Sequence, residues 1–244
     1  MRQLKNHPFA VSAHFVRSTV LTFALPPEDL APLLPPPLSL DTFQDRHAFV
    51  AVAMVETKAL RPKGFPAILG NDFFLIGYRI FVRYADQRGK GLRGLYILRS
   101  ETDRKRMTWL GNTFTHYNYR LTDVKTVMDE DRYSVFSHAS KLDVAVSDNA
   151  SGELPAGSPF SSWKEARRFA GPLPFTFTYE ASTQKVLIIE GVRENWTPRP
   201  LTVERQQVGW LGEAGFGRAS LANAFSIENV PYSWKKGRTE VWKP

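Results

Sequence analysis

The run Asp72 to Arg120, DFFLIGYRIFVRYADQRGKGLRGLYILRSETDRKRMTWLGNTFTHYNYR, decides the fold. Phe73 to Tyr84 is rich in β-branched and aromatic residues, and a second apolar run spans Leu92 to Arg99. The polar, glycine-bearing ADQRGKG between them lets the chain reverse, so the two runs predict a long antiparallel hairpin. Thr102 then offers a cap, Asp103 falls in a first turn, and Met107, Leu110, Phe114 and Tyr117 recur at spacings of three and four. That spacing predicts an amphipathic helix ending near Tyr117, with THYNYR closing the unit.

Working outward, His14 to Leu25 alternates as a strand that puts Arg17 on one face with Phe15, Leu21 and Phe23. Such an arginine either snorkels to the sheet edge or points into a cavity that supplies an anion. Pro26 and Pro27 followed by Glu28 and Asp29 open a short helix, which the prolines at 35 to 37 end. His47 to Thr57 is apolar on both faces and reads as a central strand, with Glu56 in phase with Val50, Val52 and Met54. At that strand end the carboxylate either reaches solvent or is buried. Leu60 to Asn71 is loop chemistry, placed to cover a cavity mouth.

Beyond the hairpin and helix, Arg132 to His138 and Lys141 to Ser147 predict another strand pair, and Asp148 to Pro159 a surface loop. Ser161 or Ser162 caps a short helix carrying Trp163, Ala166 and Phe169. Strands follow at Phe175 to Tyr179, Lys185 to Ile189, Leu201 to Val208 and Leu221 to Ile227, before a tail whose two tryptophans pack down.

With 244 residues, 43% of them hydrophobic, the chain is long enough to bury a large core, and one domain spanning 1–244 is expected. It has no cysteine, which excludes disulfides, thiolate metal sites and cysteine nucleophiles. The N-terminal residues lack the apolar core of a signal peptide, and no stretch is long enough to span a membrane, so a soluble cytoplasmic protein without membrane contact is expected. The net charge of +8 attracts phosphate in general, but the basic residues are scattered among acidic ones and no nucleic-acid-binding motif occurs. No nucleic-acid partner is expected.

The order of GYRIFVRY, GLYILRSETD, the helix and THYNYR, with HFVRSTVLTFALPPEDLAPLLPPPLSLDTF before them and NVPYSW after, resembles the YqjF-like family of uncharacterised proteins. That family belongs to the acetoacetate decarboxylase-like superfamily. The resemblance implies a mainly β, α+β fold: an antiparallel β cone or barrel with a central cavity and a few short helices. It implies no activity, because the family has no settled one. The superfamily's decarboxylases use a lysine amine that forms a Schiff base, in a pattern of Gly-Phe-Pro followed by two adjacent lysines. The most similar place here is His116-Tyr117-Asn118-Tyr119-Arg120, where neither lysine is present. Arginine stays charged and cannot replace the amine.

His116 and Tyr119, with Tyr117 and Arg120 nearby, form the most chemically capable cluster, because histidine exchanges protons near neutrality and tyrosine or arginine orients a carboxylate. A core histidine among packed aromatics is the competing reading. Arg79, in phase with Phe73, Leu75 and Phe81, matches an arginine of the family's strand motif, and Arg17, Arg79 and Arg120 could together line an anion-seeking cavity. The five histidines have no ligand spacing, and no phosphate-binding glycine motif opens a βαβ unit, so neither metal nor cofactor is expected. The reading that emerges is a cavity for a small organic acid or ketone, in which Arg17, Glu56, Arg79 and Arg120 bind the ligand and His116 or Tyr119 moves a proton. Its alternative is a non-catalytic ligand-binding or scaffold protein whose aromatic content serves packing or self-association into a homo-oligomer.

Overall fold

A computed structural model describes residues 5–194 and 196–243. The strands are β1 (Val11–Leu25), β2 (Ser39–Leu40), β3 (Ala48–Pro62), β4 (Asn71–Ala85), β5 (Gly91–Thr102), β6 (Tyr119–Leu121), β7 (Lys125–Asp129), β8 (Arg132–Ser137), β9 (Leu142–Asp148), β10 (Phe175–Glu180), β11 (Lys185–Arg193), β12 (Arg199–Val208), β13 (Ser220–Trp234) and β14 (Arg238–Val241). The helices are α1 (Pro27–Leu30), α2 (Lys105–Phe114), α3 (Trp163–Ala170) and α4 (Gly209–Glu213). The protein is therefore mainly β with a few short helices.

All the strands join one sheet in the order β14-β11-β10-β5-β4-β3-β1-β13-β12-β9-β8-β7, with β2 on β4 and β6 on β5. A further pairing of β11 with β13, from Gly191 opposite Trp234 to Arg193 opposite Tyr232, closes a ring through β1, β3, β4, β5 and β10. Closure removes edges that would otherwise expose unpaired backbone groups. Most pairings are antiparallel; β10 and β6 each run parallel to β5.

Alternation along the ring strands divides their side chains between two environments. Ile76, Tyr78 and Ile80 of β4 join Val50 and Val52 of β3 and Leu21 of β1 in the main core, which Val135, Val144 and Val146 of β8 and β9 complete. Each such residue, buried to the last few per cent, contributes roughly 1.5–3 kcal/mol of transfer free energy. Phe73, Leu75, Arg79 and Phe81 face the inside of the ring instead. One end of this interior is walled by α2, whose Met107 packs on Phe73, and the other by α3, whose Ala170 clusters with Phe81.

The hairpin, the second helix and the later strands fall where the sequence puts them, with four differences. Helix α2 starts at Lys105 and ends at Phe114, short of Tyr117, because Asp103 instead accepts the backbone N–H of Phe74 at 2.8 Å and Thr115 leaves the helical conformation. The presumed tail residues Val230 to Trp234 continue strand β13, and Trp234 packs edge-on against Phe15. Strand β7 has every residue exposed and so carries no apolar alternation to announce it. Between Phe15 and Arg17, β1 slips register against β3, so Phe15 faces the interior whereas Arg17 faces away with Leu21 and Phe23. A bulge of this kind reverses the faces of everything beyond it.

Candidate functional site: an arginine and tyrosine cavity

Inside the ring is a cavity of about 430 Å³, in the size range of small-molecule sites. Its walls are mostly aliphatic and aromatic, and the lining includes Arg61, Arg79, Arg106 and Arg193 but, among the described residues, neither a lysine nor a carboxylate. Arg79 comes from the middle of β4, where unbroken alternation from Phe73 to Phe81 fixes its direction. Arg79 is largely withdrawn from water and lines the cavity. Its Nε is buried without a hydrogen-bond partner, and burial pulls its pKa down against the opposing influence of Tyr232, Tyr119 and Tyr117.

Three polar groups of the cavity each lie over a glycine. A Cβ at Gly77 would come within 2.8 Å of the Arg79 Nε and 2.9 Å of its Nη2. A Cβ at Gly111 would meet the Tyr119 ring at 2.2 Å, and one at Gly191 would meet the Tyr232 hydroxyl at 1.9 Å. Any other residue at these positions would push the polar side chains out of place, so the glycines are part of the site. Tyr119 is held from a second direction: its N–H donates to Asn112 Oδ1 and its carbonyl accepts from Asn112 Nδ2, both at 2.9 Å. Burial raises the pKa of Tyr119 to about 12 and raises those of Tyr117 and Tyr232 as well. At neutral pH the cavity thus presents the Arg79 guanidinium among neutral hydroxyls, an arrangement that can donate several hydrogen bonds to a carboxylate or enolate.

Of the residues singled out from sequence, the structure brings Arg79 and Tyr119 together and places the others elsewhere. Arg17 donates from Nε to Glu228 Oε1 at 2.7 Å and lies 4.5 Å over the Tyr133 ring, outside the cavity. Glu228 also accepts from Arg199 at 2.6 Å. Glu56 is opposite Arg17 in register but does not line the cavity, and the ion pair of Arg17 goes to Glu228 rather than to Glu56. Arg120 is exposed on β6, away from the cavity; the nearby Glu213 carboxyl is held below the usual range by its Lys141 hydrogen bond and charge first, with Arg99 and Arg120 adding less. His116 is half-buried, with Nε2 3.4 Å from Asn6 Oδ1, and is not among the lining residues although Thr115 and Tyr117 on either side are. Tyr117, named with the His116 cluster, also lines the cavity, as do Tyr232, Arg193 and His7, which the sequence did not point to. Tyr232 lies beyond the expected end of its strand, and His7 belongs to no periodic element.

His7 lines the cavity, is 7% exposed, and has a buried Nδ1 without a partner. Burial lowers its pKa below the ordinary 6.5, and burial also lowers that of His116. Well above pH 6.5 both histidines are neutral in the folded and unfolded chain and exert no pH effect. Below it the unfolded chain takes up protons that the folded one resists, so stability falls on acidification. Urea denaturation at pH 7 and pH 5 is expected to show that loss, and His7→Gln to reduce it. An equal loss in the variant would mean that His7 titrates freely. Among the described residues no cluster of His, Asp or Glu could hold a metal ion, and no helix is long and apolar enough to cross a membrane.

The closed, mainly β ring has the fold of acetoacetate decarboxylase-like proteins. The structure superposes on an acetoacetate decarboxylase-like enzyme from Sphingomonas wittichii RW1 with a TM-score of 0.60 and 12% identity, covering 97% of this chain and 93% of that one. It also matches acetoacetate decarboxylase from Legionella pneumophila with a TM-score of 0.56 and 13% identity, covering 94% and 87%. A third match is the enduracididine biosynthesis enzyme MppR complexed with pyruvate, with a TM-score of 0.52 and 12% identity, covering 95% and 87%. At these identities the likeness is one of fold. Residues 13–231 match the model of the DUF2071 family, described as an uncharacterized conserved protein, and this chain belongs to that family. Comparison with curated proteins gave no match.

Proposed function

We propose that this chain binds a small organic acid or ketone inside the β ring, with Arg79 as the anchor for its carboxylate or carbonyl oxygen. The observation that carries the reading is the Arg79 guanidinium, with its partnerless Nε, in a cavity whose described lining has no acidic residue. A buried cation without a counter-charge costs several kcal/mol, and a bound anion removes that cost. Tyr117, Tyr119 and Tyr232 are the neutral donors that would orient the ligand's oxygens. The MppR enzyme of the same fold holds pyruvate, a small keto acid, which supports the ligand class.

In this reading any turnover proceeds without a Schiff base, because the described cavity lining offers no lysine amine. A chemical step would instead use Arg79 to polarise a carbonyl, with Tyr119 donating a hydrogen bond to the oxyanion. The test is titration calorimetry with pyruvate and acetoacetate, paired with borohydride trapping and mass spectrometry. Saturable binding without a lysine adduct is expected. Absence of binding by these and by longer carboxylates alike would sink the reading, and a stoichiometric adduct on one lysine would sink the mechanism.

A further inference from the structure

We infer that the preferred ligand is amphipathic, a monocarboxylate whose hydrocarbon tail runs from Arg79 along β4 to Phe73 and ends beside the paired rings of Phe9 and Phe114. The inference rests on the reading that Arg79 anchors a carboxylate, and adds what the rest of the ligand must be.

Size is the first argument. At about 30 Å³ for each water-sized atom, a cavity of about 430 Å³ has room for roughly fourteen of them. Acetoacetate, with four carbons and three oxygens, would fill about half. Direction is the second. The guanidinium lies against Gly77 rather than toward Phe81, and Gly77 is four strand residues from Phe73. That is about 13 Å of strand, comparable to an extended chain of about ten carbons.

The chemistry along this path is the third argument. Val55 of β3 is opposite Leu75, Met107 of α2 packs on Phe73, and Leu110 adds to the same wall, all of them apolar. The polar groups along this path include Thr57 opposite Phe73, Tyr119 against Met107 and His7 beside Phe114, too few and too scattered to partner a string of hydroxyls, which is how such a wall rejects one. The rim continues the same character. The Phe9 and Phe114 rings meet edge to face at 5.5 Å, and Leu69, which also lines the cavity, remains 59% exposed. Exposed apolar groups at a cavity mouth suit the passage of a hydrocarbon tail.

The experiment is calorimetric titration of the full chain with straight-chain carboxylates from four to fourteen carbons, and with octan-1-ol as the uncharged control. Affinity is expected to rise about two- to fourfold per methylene up to about eight to ten carbons and then level off. Octan-1-ol should bind at least tenfold more weakly than octanoate. Leu110→Trp, which narrows the wall, should weaken octanoate at least tenfold and leave butyrate within about twofold. Affinity independent of chain length, or greatest at four carbons, would overturn the inference and leave the anchor reading standing. If no carboxylate bound at any length, or octan-1-ol bound as tightly as octanoate, the anchor reading would fall and take the inference with it. The series on the unaltered protein decides between these outcomes even if Leu110→Trp folds poorly.

Discussion

Arg79→Met is expected to abolish carboxylate binding while leaving the folded state as stable as before or more so. The two effects have one cause. In the free protein the guanidinium is desolvated, its Nε has no partner, and its described surroundings offer tyrosine hydroxyls rather than a carboxylate. Replacing a buried charge by an apolar side chain of similar length is commonly neutral or stabilising, and here a gain of about 1 kcal/mol is expected. Binding moves in the other direction. Each charge-assisted hydrogen bond contributes about 1.5–3 kcal/mol, so losing the guanidinium should weaken a carboxylate about 100-fold or more. Urea denaturation and calorimetry on the same preparation read both quantities. A destabilisation of about 3 kcal/mol or more would show that Arg79 is a structural tie to its tyrosines.

The second large effect concerns a carboxylate on the other side of this balance. Asp41 is fully buried and holds two arginines, accepting from Arg83 Nε and Arg93 Nε at 2.6 Å each. Those arginines face each other across β4 and β5, where like charges repel unless something bridges them. Asp41 is that bridge, and Arg93 is further fixed by the Phe169 carbonyl at 2.9 Å, which ties the hairpin to α3. Changing both arginines to leucine strands a buried carboxylate and is expected to cost about 3–5 kcal/mol. In a domain of this size that lowers the melting temperature by roughly 6–20 °C. Adding Asp41→Leu should restore most of the loss, because the penalty lies in the unpaired charge. A double variant as stable as the parent would mean that water reaches Asp41.

How far the site could be read from sequence depends on where the strands are regular. The face of Arg79 was legible because nothing interrupts the alternation of β4 between Phe73 and Phe81. Arg17 was assigned to a cavity face by the same rule, and the register slip between Phe15 and Arg17 turns it outward to Glu228, 211 residues away. A bulge leaves no mark in composition, and no local pattern points to a partner at that distance. His116 precedes β6 by three residues and Tyr119 opens it, yet only the tyrosine reaches the cavity, because the Asn112 amide fixes the backbone of Tyr119 while His116 turns toward Asn6. Gly77, Gly111 and Gly191 read as ordinary interruptions of two strands and a helix, and their role as gaps beneath the polar groups becomes visible only in three dimensions. The fold itself was more legible than the site, since long alternating runs and a capped helix are local signals. Ser162 does cap α3, accepting the Glu165 N–H at 3.3 Å.

If Arg79 holds a carboxylate inside the ring, diffraction from crystals grown with octanoate will locate it there. The account predicts carboxylate density with its oxygens about 2.7–2.9 Å from the Arg79 guanidinium, and the tail lying along Leu75 and Phe73 toward Phe114. Carboxylate density at any other residue, or a saturated crystal with only water against Arg79, would contradict it.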